Sequence, residues 1–67
     1  MELYFENSRG ERRVIATPST EEEAMREIDK FCEDRNFEIY YVRSWRTPDG
    51  MKAFDVGSWS ERFLLKD

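Results

Sequence analysis

The chain has 67 residues, a formal net charge of −4, 39% charged residues and 15% aromatic residues. This length predicts a single small domain with a thin core, because such a domain buries only about 60% of its unfolded surface. One cysteine and no histidine exclude an intramolecular disulfide and a structural zinc site. We therefore expect no cofactor and no metal, and a homodimer as a way to bury more apolar surface.

The apolar residues are too dispersed for a membrane span, which needs about 20 consecutive apolar residues. Residues 1–6 have neither the basic start nor the apolar stretch of a signal peptide. A single unpaired cysteine suits a reducing compartment. These features predict a cytoplasmic location and no membrane partner.

The first half of the chain predicts a hairpin followed by a helix. Residues 2–6 and 13–17 are rich in apolar and β-branched side chains and flank a loose polar turn at 7–10. Thr20 with Glu23, and Ser19 with Glu22, both fit the capping box at a helix start. One apolar helical stripe follows at 3–4 spacing, made of Ala24, Met25, Ile28, Phe31 and Cys32. Asn36 is suited to end the helix, with Phe37 folding back on its last turn.

The second half predicts further strands. Residues 37–46 form the longest aromatic and β-branched run, residues 47–50 a Pro–Asp–Gly turn, and residues 51–58 a returning strand. Residues 61–66 fit either a short fifth strand or a helical turn. The expected fold class is α+β, with one antiparallel sheet (β-β-α-β-β, with or without the fifth strand) and one helix across one face.

Aromatic residues on both faces of the long strand indicate an interaction surface, because one helix covers only one face of a sheet. Two strand registers are open. One buries Tyr40, Val42, Phe54 and Val56 under the helix and leaves the other face open with Ile39, Tyr41, Arg43 and Trp45. The other register reverses the faces of the long strand. We select Tyr41, Arg43 and Trp45 as candidate partner-binding residues.

A simpler interpretation of these aromatic residues is structural. The C-terminal segment carries Phe63 and Leu65, and it could cover the face that the helix leaves open. If that face stays open, a second copy of the chain is a suitable cover, since two-fold dimers are the commonest assemblies.

The residues needed for catalysis are lacking in the sequence. Histidine is absent, and Cys32 falls on the apolar helical stripe, where a buried structural thiol is expected. The run Glu21, Glu22, Glu23 fits a solvated first helical turn beside the positive end of the helix dipole. No phosphate-binding loop or calcium loop is present, and no small-molecule substrate is evident. We expect the chain not to be an enzyme.

The charge pattern disfavours nucleic acid as a partner. Residues 20–35 contain seven acidic and three basic residues, so the net charge of this window is −4 and the rest of the chain sums to zero. A basic-aromatic mixture at 43–46 is short and lies on an acidic chain, whereas nucleic-acid binders present a basic face.

Four segments resemble small proteins encoded by phages and prophages of Gram-positive bacteria: residues 2–8, 20–24, 40–45 and 54–58. The similarity extends over most of the chain but includes no catalytic motif, so it transfers no site residues. It implies a short acidic protein that occupies a host protein, in some cases as an inhibitor of bacterial anti-phage defence.

Three functions are therefore open. The first is a phage-type binding protein that engages a host protein as a homodimer. The second is a structural or accessory component of phage assembly or replication, which predicts higher-order species. The third is a weak binder of single-stranded nucleic acid, whose affinity would fall steeply with salt.

Overall fold

A computed structural model of the chain describes residues 1–36, 43–57 and 61–67. These residues form one helix and five strands, in the order β1 (Glu2–Glu6), β2 (Arg12–Ala16), α1 (Glu21–Asp34), β3 (Arg43–Arg46), β4 (Lys52–Asp55) and β5 (Arg62–Lys66). The strands form one antiparallel sheet with the spatial order β2-β1-β5-β4-β3. Helix α1 packs on one face of it. The expected α+β class is confirmed.

The C-terminal segment forms the central strand of the sheet. Strand β5 lies between β1 and β4, so it connects the β1–β2 hairpin to the β3–β4 hairpin. Phe63 is opposite Phe5 on one side and opposite Phe54 on the other. The sequence left a strand and a helical turn open for this segment, and the strand is what the structure has.

The two hairpin turns have the same backbone hydrogen-bonding pattern. The N–H of Gly10 donates to the Asn7 carbonyl and that of Gly50 to the Thr47 carbonyl, each at 3.0 Å. Both glycines have positive φ angles, of 80° and 88°, which non-glycine residues rarely adopt. The Asn7 side-chain oxygen also accepts the N–H groups of Arg9 and Glu11, at 2.9 and 3.0 Å. The first turn is therefore well bonded and not the loose loop that its composition suggested.

Helix α1 begins and ends where the sequence predicts. The Thr20 hydroxyl accepts the Glu23 N–H at 3.1 Å, as in a capping box. The Glu23 carboxylate accepts the N–H of Ser19, at 2.9 Å, instead of that of Thr20. At the other end Asn36 has a φ angle of 58°, which stops the helix.

The core lies between α1 and the sheet. Its buried members come from the helix, from three strands and from the residue after β4: Leu3, Ala24, Ile28, Cys32, Phe54, Val56, Phe63 and Leu65. Phe5 and Phe31 pack against this cluster from its rim. Within the described residues, no helix is long and apolar enough to cross a bilayer.

One expected strand is shifted by one residue, one is shorter than the sequence suggested, and one is described in part. Strand β2 spans Arg12–Ala16, not 13–17, and β4 ends at Asp55, before the expected end at residue 58. Of the expected long strand at 37–46, the structure describes 43–46, which is β3. Residues 37–42, and with them the predicted contact of Phe37 with the helix, lie outside the described residues.

Candidate functional site

Strand β3 is the most exposed element of the sheet. All four of its residues are exposed, and the strand lies at one edge of the sheet. The register with β4 places Ser44 opposite Phe54, a core residue, whereas Trp45 is opposite Ala53. Arg43 and Trp45 therefore point to the face opposite α1. We call the three residues Arg43, Ser44 and Trp45 the β3 patch.

The β3 patch is pre-organised by Asp55 on β4. The Arg43 guanidinium donates to an Asp55 carboxylate oxygen at 3.3 Å. The other Asp55 oxygen accepts the Gly57 N–H at 2.9 Å, which fixes the carboxylate. Held in this way, the guanidinium carbon of Arg43 lies 5.6 Å from the centroid of the Trp45 ring, within the range of a cation–π contact. The patch thus presents an indole and a guanidinium in a defined arrangement.

The surface at the patch forms a shallow depression. Arg43, Ser44 and Trp45 line a depression of about 300 Å³. The Trp45 residue is 37% exposed and the Arg43 side chain 68%. Trp and Arg are the side chains most enriched at the energetic centres of protein interfaces. Such a depression can accept an apolar or aromatic side chain of a partner.

The face opposite α1 carries an apolar row that crosses all five strands. Cross-strand neighbours follow one another in the order Val14, Tyr4, Leu64, Ala53 and Trp45. In the middle of the row Leu64 and Ala53 are completely buried, whereas the ends are open, with Val14 45% and Trp45 37% exposed. We call these five residues the transverse row. Tyr4 is half-buried, so the most exposed side chains of the row are those at its two ends.

Ion pairs lie beside the transverse row on the same face. The carboxylate of Glu6 receives the Arg62 side chain from β5 and, at 3.6 Å, the Arg12 side chain from β2. Arg12 also reaches within 4.0 Å of Asp49, in the turn between β3 and β4. These two residues belong to diagonally opposite corners of the sheet, so sheet twist must curve this face inward.

The structure decides between the two registers for the residues that it describes. Phe54 and Val56 lie under the helix, and Arg43 and Trp45 lie on the other face, as in the first assignment. The third candidate, Tyr41, lies outside the described residues, as do Ile39, Tyr40 and Val42.

The expected covering of the open face by Phe63 and Leu65 is wrong. Both side chains point into the core under α1, because β5 is a central strand with its alternate residues on opposite faces. The residue that β5 contributes to the other face is Leu64, between them. Sequence analysis missed Leu64, Tyr4 and the anchoring Asp55, because three consecutive apolar residues at 63–65 do not show by themselves which of them faces the helix.

A second cavity lies at the rim of the core. It has a volume of about 170 Å³ and is lined by Phe5, Phe31, Cys32, Arg35, Val56, Glu61 and Phe63. The three phenylalanine rings contact one another, with centroids 4.9 to 5.6 Å apart. The Arg35 guanidinium lies 5.2 Å from two of these rings. This cluster joins the end of the helix to the sheet and is accounted for by packing.

The groups that were considered for chemistry have structural roles. Cys32 is a buried core residue, and burial raises the pKa of its thiol, which disfavours the thiolate. The Glu21–Glu23 run forms the exposed first turn of α1. Among the described residues, no group of three or more His, Cys, Asp or Glu side chains could hold a metal ion.

The comparisons with known proteins add no relative. No protein-family model matches this chain, and no curated protein or solved structure is significantly similar to it.

Proposed function

We propose that this chain is a non-enzymatic binding protein that engages a host protein through the β3 patch and acts as a homodimer. The observation that carries the proposal is the pair formed by Trp45 and Arg43 at an exposed sheet edge. Trp45 is 37% exposed, and the guanidinium beside it is hydrogen-bonded to Asp55.

Pre-organisation is the main reason to assign binding to this pair. A flexible arginine loses side-chain entropy when it is immobilised at an interface, about 0.5–1.5 kcal/mol for a side chain rich in rotamers. Because Asp55 already restrains Arg43, part of this cost is met in the free protein. An exposed tryptophan beside a restrained arginine is therefore suited to be the centre of an interface.

The same geometry favours a protein over a nucleic acid as the partner. Arg43 has a carboxylate partner at 3.3 Å, so a phosphate group would have to compete with Asp55 for the guanidinium. The chain is also acidic overall, with a net charge of −4, which opposes approach to a polyanion. A partner that places an apolar side chain in the depression fits better.

The class of host protein follows from the resemblance to phage proteins. Short acidic phage proteins without catalytic residues act by occupying proteins of the host. A component of bacterial anti-phage defence, met in the cytoplasm of the host, is the target we propose.

The proposal can be tested by affinity capture from a bacterial lysate with two matched variants. Trp45→Ala and Val14→Ala remove the two exposed ends of the same transverse row, which have similar exposure. Proteins retained by the wild type and by each variant are then compared by mass spectrometry. We expect a host protein that the wild type and Val14→Ala retain and Trp45→Ala loses.

Other outcomes of this experiment contradict the proposal. If both variants lose the same protein, the β3 patch is not the binding surface. If the wild type retains only its own copies in large assemblies, an assembly component becomes the better interpretation. Capture that disappears after nuclease treatment or at raised salt would indicate nucleic acid.

A further inference from the structure

Strand β3 has one hydrogen-bonding edge without a strand on it among the residues that the structure describes. In the turn that follows, the Thr47 N–H donates to the Met51 carbonyl at 2.7 Å, so the Thr47 N–H points toward the β4 side. Along an antiparallel strand, the N–H and C=O groups of successive residues point alternately to the two neighbouring strands. Trp45 therefore directs its N–H and carbonyl toward β4, while Ser44 and Arg46 direct theirs away from the sheet.

The opposite edge of the sheet, on β2, has a ladder irregularity that the β3–β4 ladder lacks. The β1–β2 ladder contains a register shift between Leu3 and Tyr4, which is a β-bulge or a similar irregularity. Arg12 and Arg13 follow each other at the start of β2. Bulges and clustered charges are common means of preventing edge-to-edge association. The β3–β4 register runs without a shift from Arg43 to Arg46.

We propose that β3 pairs in antiparallel fashion with β3 of a second copy of the chain, with Trp45 opposite Trp45. The two five-stranded sheets would then form one continuous sheet around a two-fold axis. This pairing specifies how the homodimer of the proposed function forms. It depends on no other part of the proposed function.

The choice of register follows from charge and hydrogen bonding. Opposite residues share a face, so the axis must pass beside one residue of β3. An axis at Arg43 or at Arg46 would place like charges directly opposite each other, which is destabilising. An axis at Ser44 would leave a single hydrogen-bonded pair within the four residues of β3.

An axis at Trp45 satisfies the strand best. Ser44 then faces Arg46 of the second copy and Arg46 faces Ser44 of the second copy, which gives two hydrogen-bonded pairs and four backbone hydrogen bonds. The two Trp45 residues form the pair without hydrogen bonds, where side chains are closest and aromatic contacts are strongest. No two arginines are opposite each other.

This pairing would also enlarge the proposed docking surface. Both β3 patches would lie on the same face of the continuous sheet, side by side across the axis, with two indoles and two guanidinium groups. Each β3 edge would be used in the pairing and each β2 edge carries the ladder irregularity, so the assembly would close at two copies. One pair of Arg43 and Trp45 side chains would become a surface of four side chains.

Amide hydrogen exchange of the wild-type chain at several concentrations tests the pairing directly, with sedimentation equilibrium on the same samples. The N–H groups of Ser44 and Arg46 should gain protection as the dimer forms. The Trp45 N–H, already bonded to β4, should be protected at every concentration. The Val14 N–H on the β2 edge serves as the control and should not change.

A pair of variants separates the backbone from the side chain. Ser44→Pro removes the outward N–H, which a proline at a sheet edge can do without breaking the inner ladder. It should weaken dimerisation by at least about tenfold, as expected for the loss of hydrogen bonds on both sides of the axis. Ser44→Ala keeps the N–H and should leave the dimer intact.

Three results would overturn the inference: Ser44 exchange that does not depend on concentration, protection that appears at Val14 instead, or species larger than a dimer. Capture of a host protein is scored separately. If capture persists in a chain that stays monomeric, the dimer is wrong and the binding function stands. If the dimer forms as described and captures nothing, the binding function is wrong.

Discussion

The two faces of the sheet bury their apolar residues in different ways. Under α1, the helix covers Phe63, Leu65 and Phe54 directly, and these residues belong to one continuous core cluster. On the other face no described helix lies above Leu64, yet this residue is completely buried. Its cross-strand neighbours in the transverse row are Tyr4 and Ala53. Along the transverse row, Leu64 and Ala53 are buried, Tyr4 is half-buried, and Val14 and Trp45 at the two ends are exposed.

The largest effect is expected on the helix-covered face. Phe63→Ala should lower the free energy of unfolding by about 3–5 kcal/mol, the usual range for deleting a buried phenyl ring. The ring contacts Phe5 and Phe31, at centroid distances of 5.6 Å each, so its loss opens the aromatic cluster. Urea denaturation measures this. A loss below 1 kcal/mol would mean that the cluster repacks and is not the core we describe.

The opposite face is tested by Leu64→Ala. Because Leu64 is fully buried, the substitution should destabilise the fold by about 2–3 kcal/mol, at the lower end of the range for leucine in cores. The same denaturation experiment, run beside Phe63→Ala, compares the two faces. An effect near zero would show that the face is open across its whole width.

The ion pairs beside the transverse row should contribute less. Glu6→Gln leaves Arg62 and Arg12 without their shared carboxylate, and the Glu6 side chain is only 12% exposed. We expect a loss of about 1.5 kcal/mol, as for hydrogen bonds to charged groups. Arg12→Ala is the matched control. Its contact with Glu6 is longer and more exposed, so its effect should stay within about 0.5 kcal/mol.

The pH dependence of the Cys32 thiol tests the burial of the helix-covered face. Burial raises the pKa of this thiol in the folded protein. The buried, protonated thiol therefore makes its full contribution to the free energy of unfolding below the thiol pKa of the unfolded chain. This contribution is lost as the pH rises through the thiol pKa of the folded protein. Iodoacetamide should modify Cys32 more slowly in the folded protein than in urea at every pH between these two values, as measured by mass spectrometry. Equal rates would contradict the burial.

Local signals in the sequence account for the helix and the turns. The Thr20 cap, the Asn36 terminator and the Pro–Asp–Gly turn act within a few residues, so their structures follow from neighbouring residue types. The position of β5 depends on pairing across the chain: Phe63 must find both Phe5 and Phe54. Nothing local in residues 61–66 specifies a central strand, which is why a helical turn fitted equally well.

The candidate site was predictable in part for the same reason. Residue types singled out Arg43 and Trp45, but the face on which they lie depends on the register with β4. The anchoring contact of Asp55 with Arg43 joins residues on two strands and has no signature along the chain. Tyr41, the third residue selected, lies outside the described residues and stays a prediction.

The substitutions with the smallest expected effect on folding test most directly the claim that the β3 patch binds a host protein. Urea denaturation and capture from a bacterial lysate are measured together for the wild type, Trp45→Ala and Val14→Ala. We expect all three chains to unfold within about 0.5 kcal/mol of one another, because both changes are at exposed positions. Only Trp45→Ala should lose the host protein. A Trp45→Ala chain that unfolds, or one that captures as the wild type does, would contradict the assignment of binding to the β3 patch.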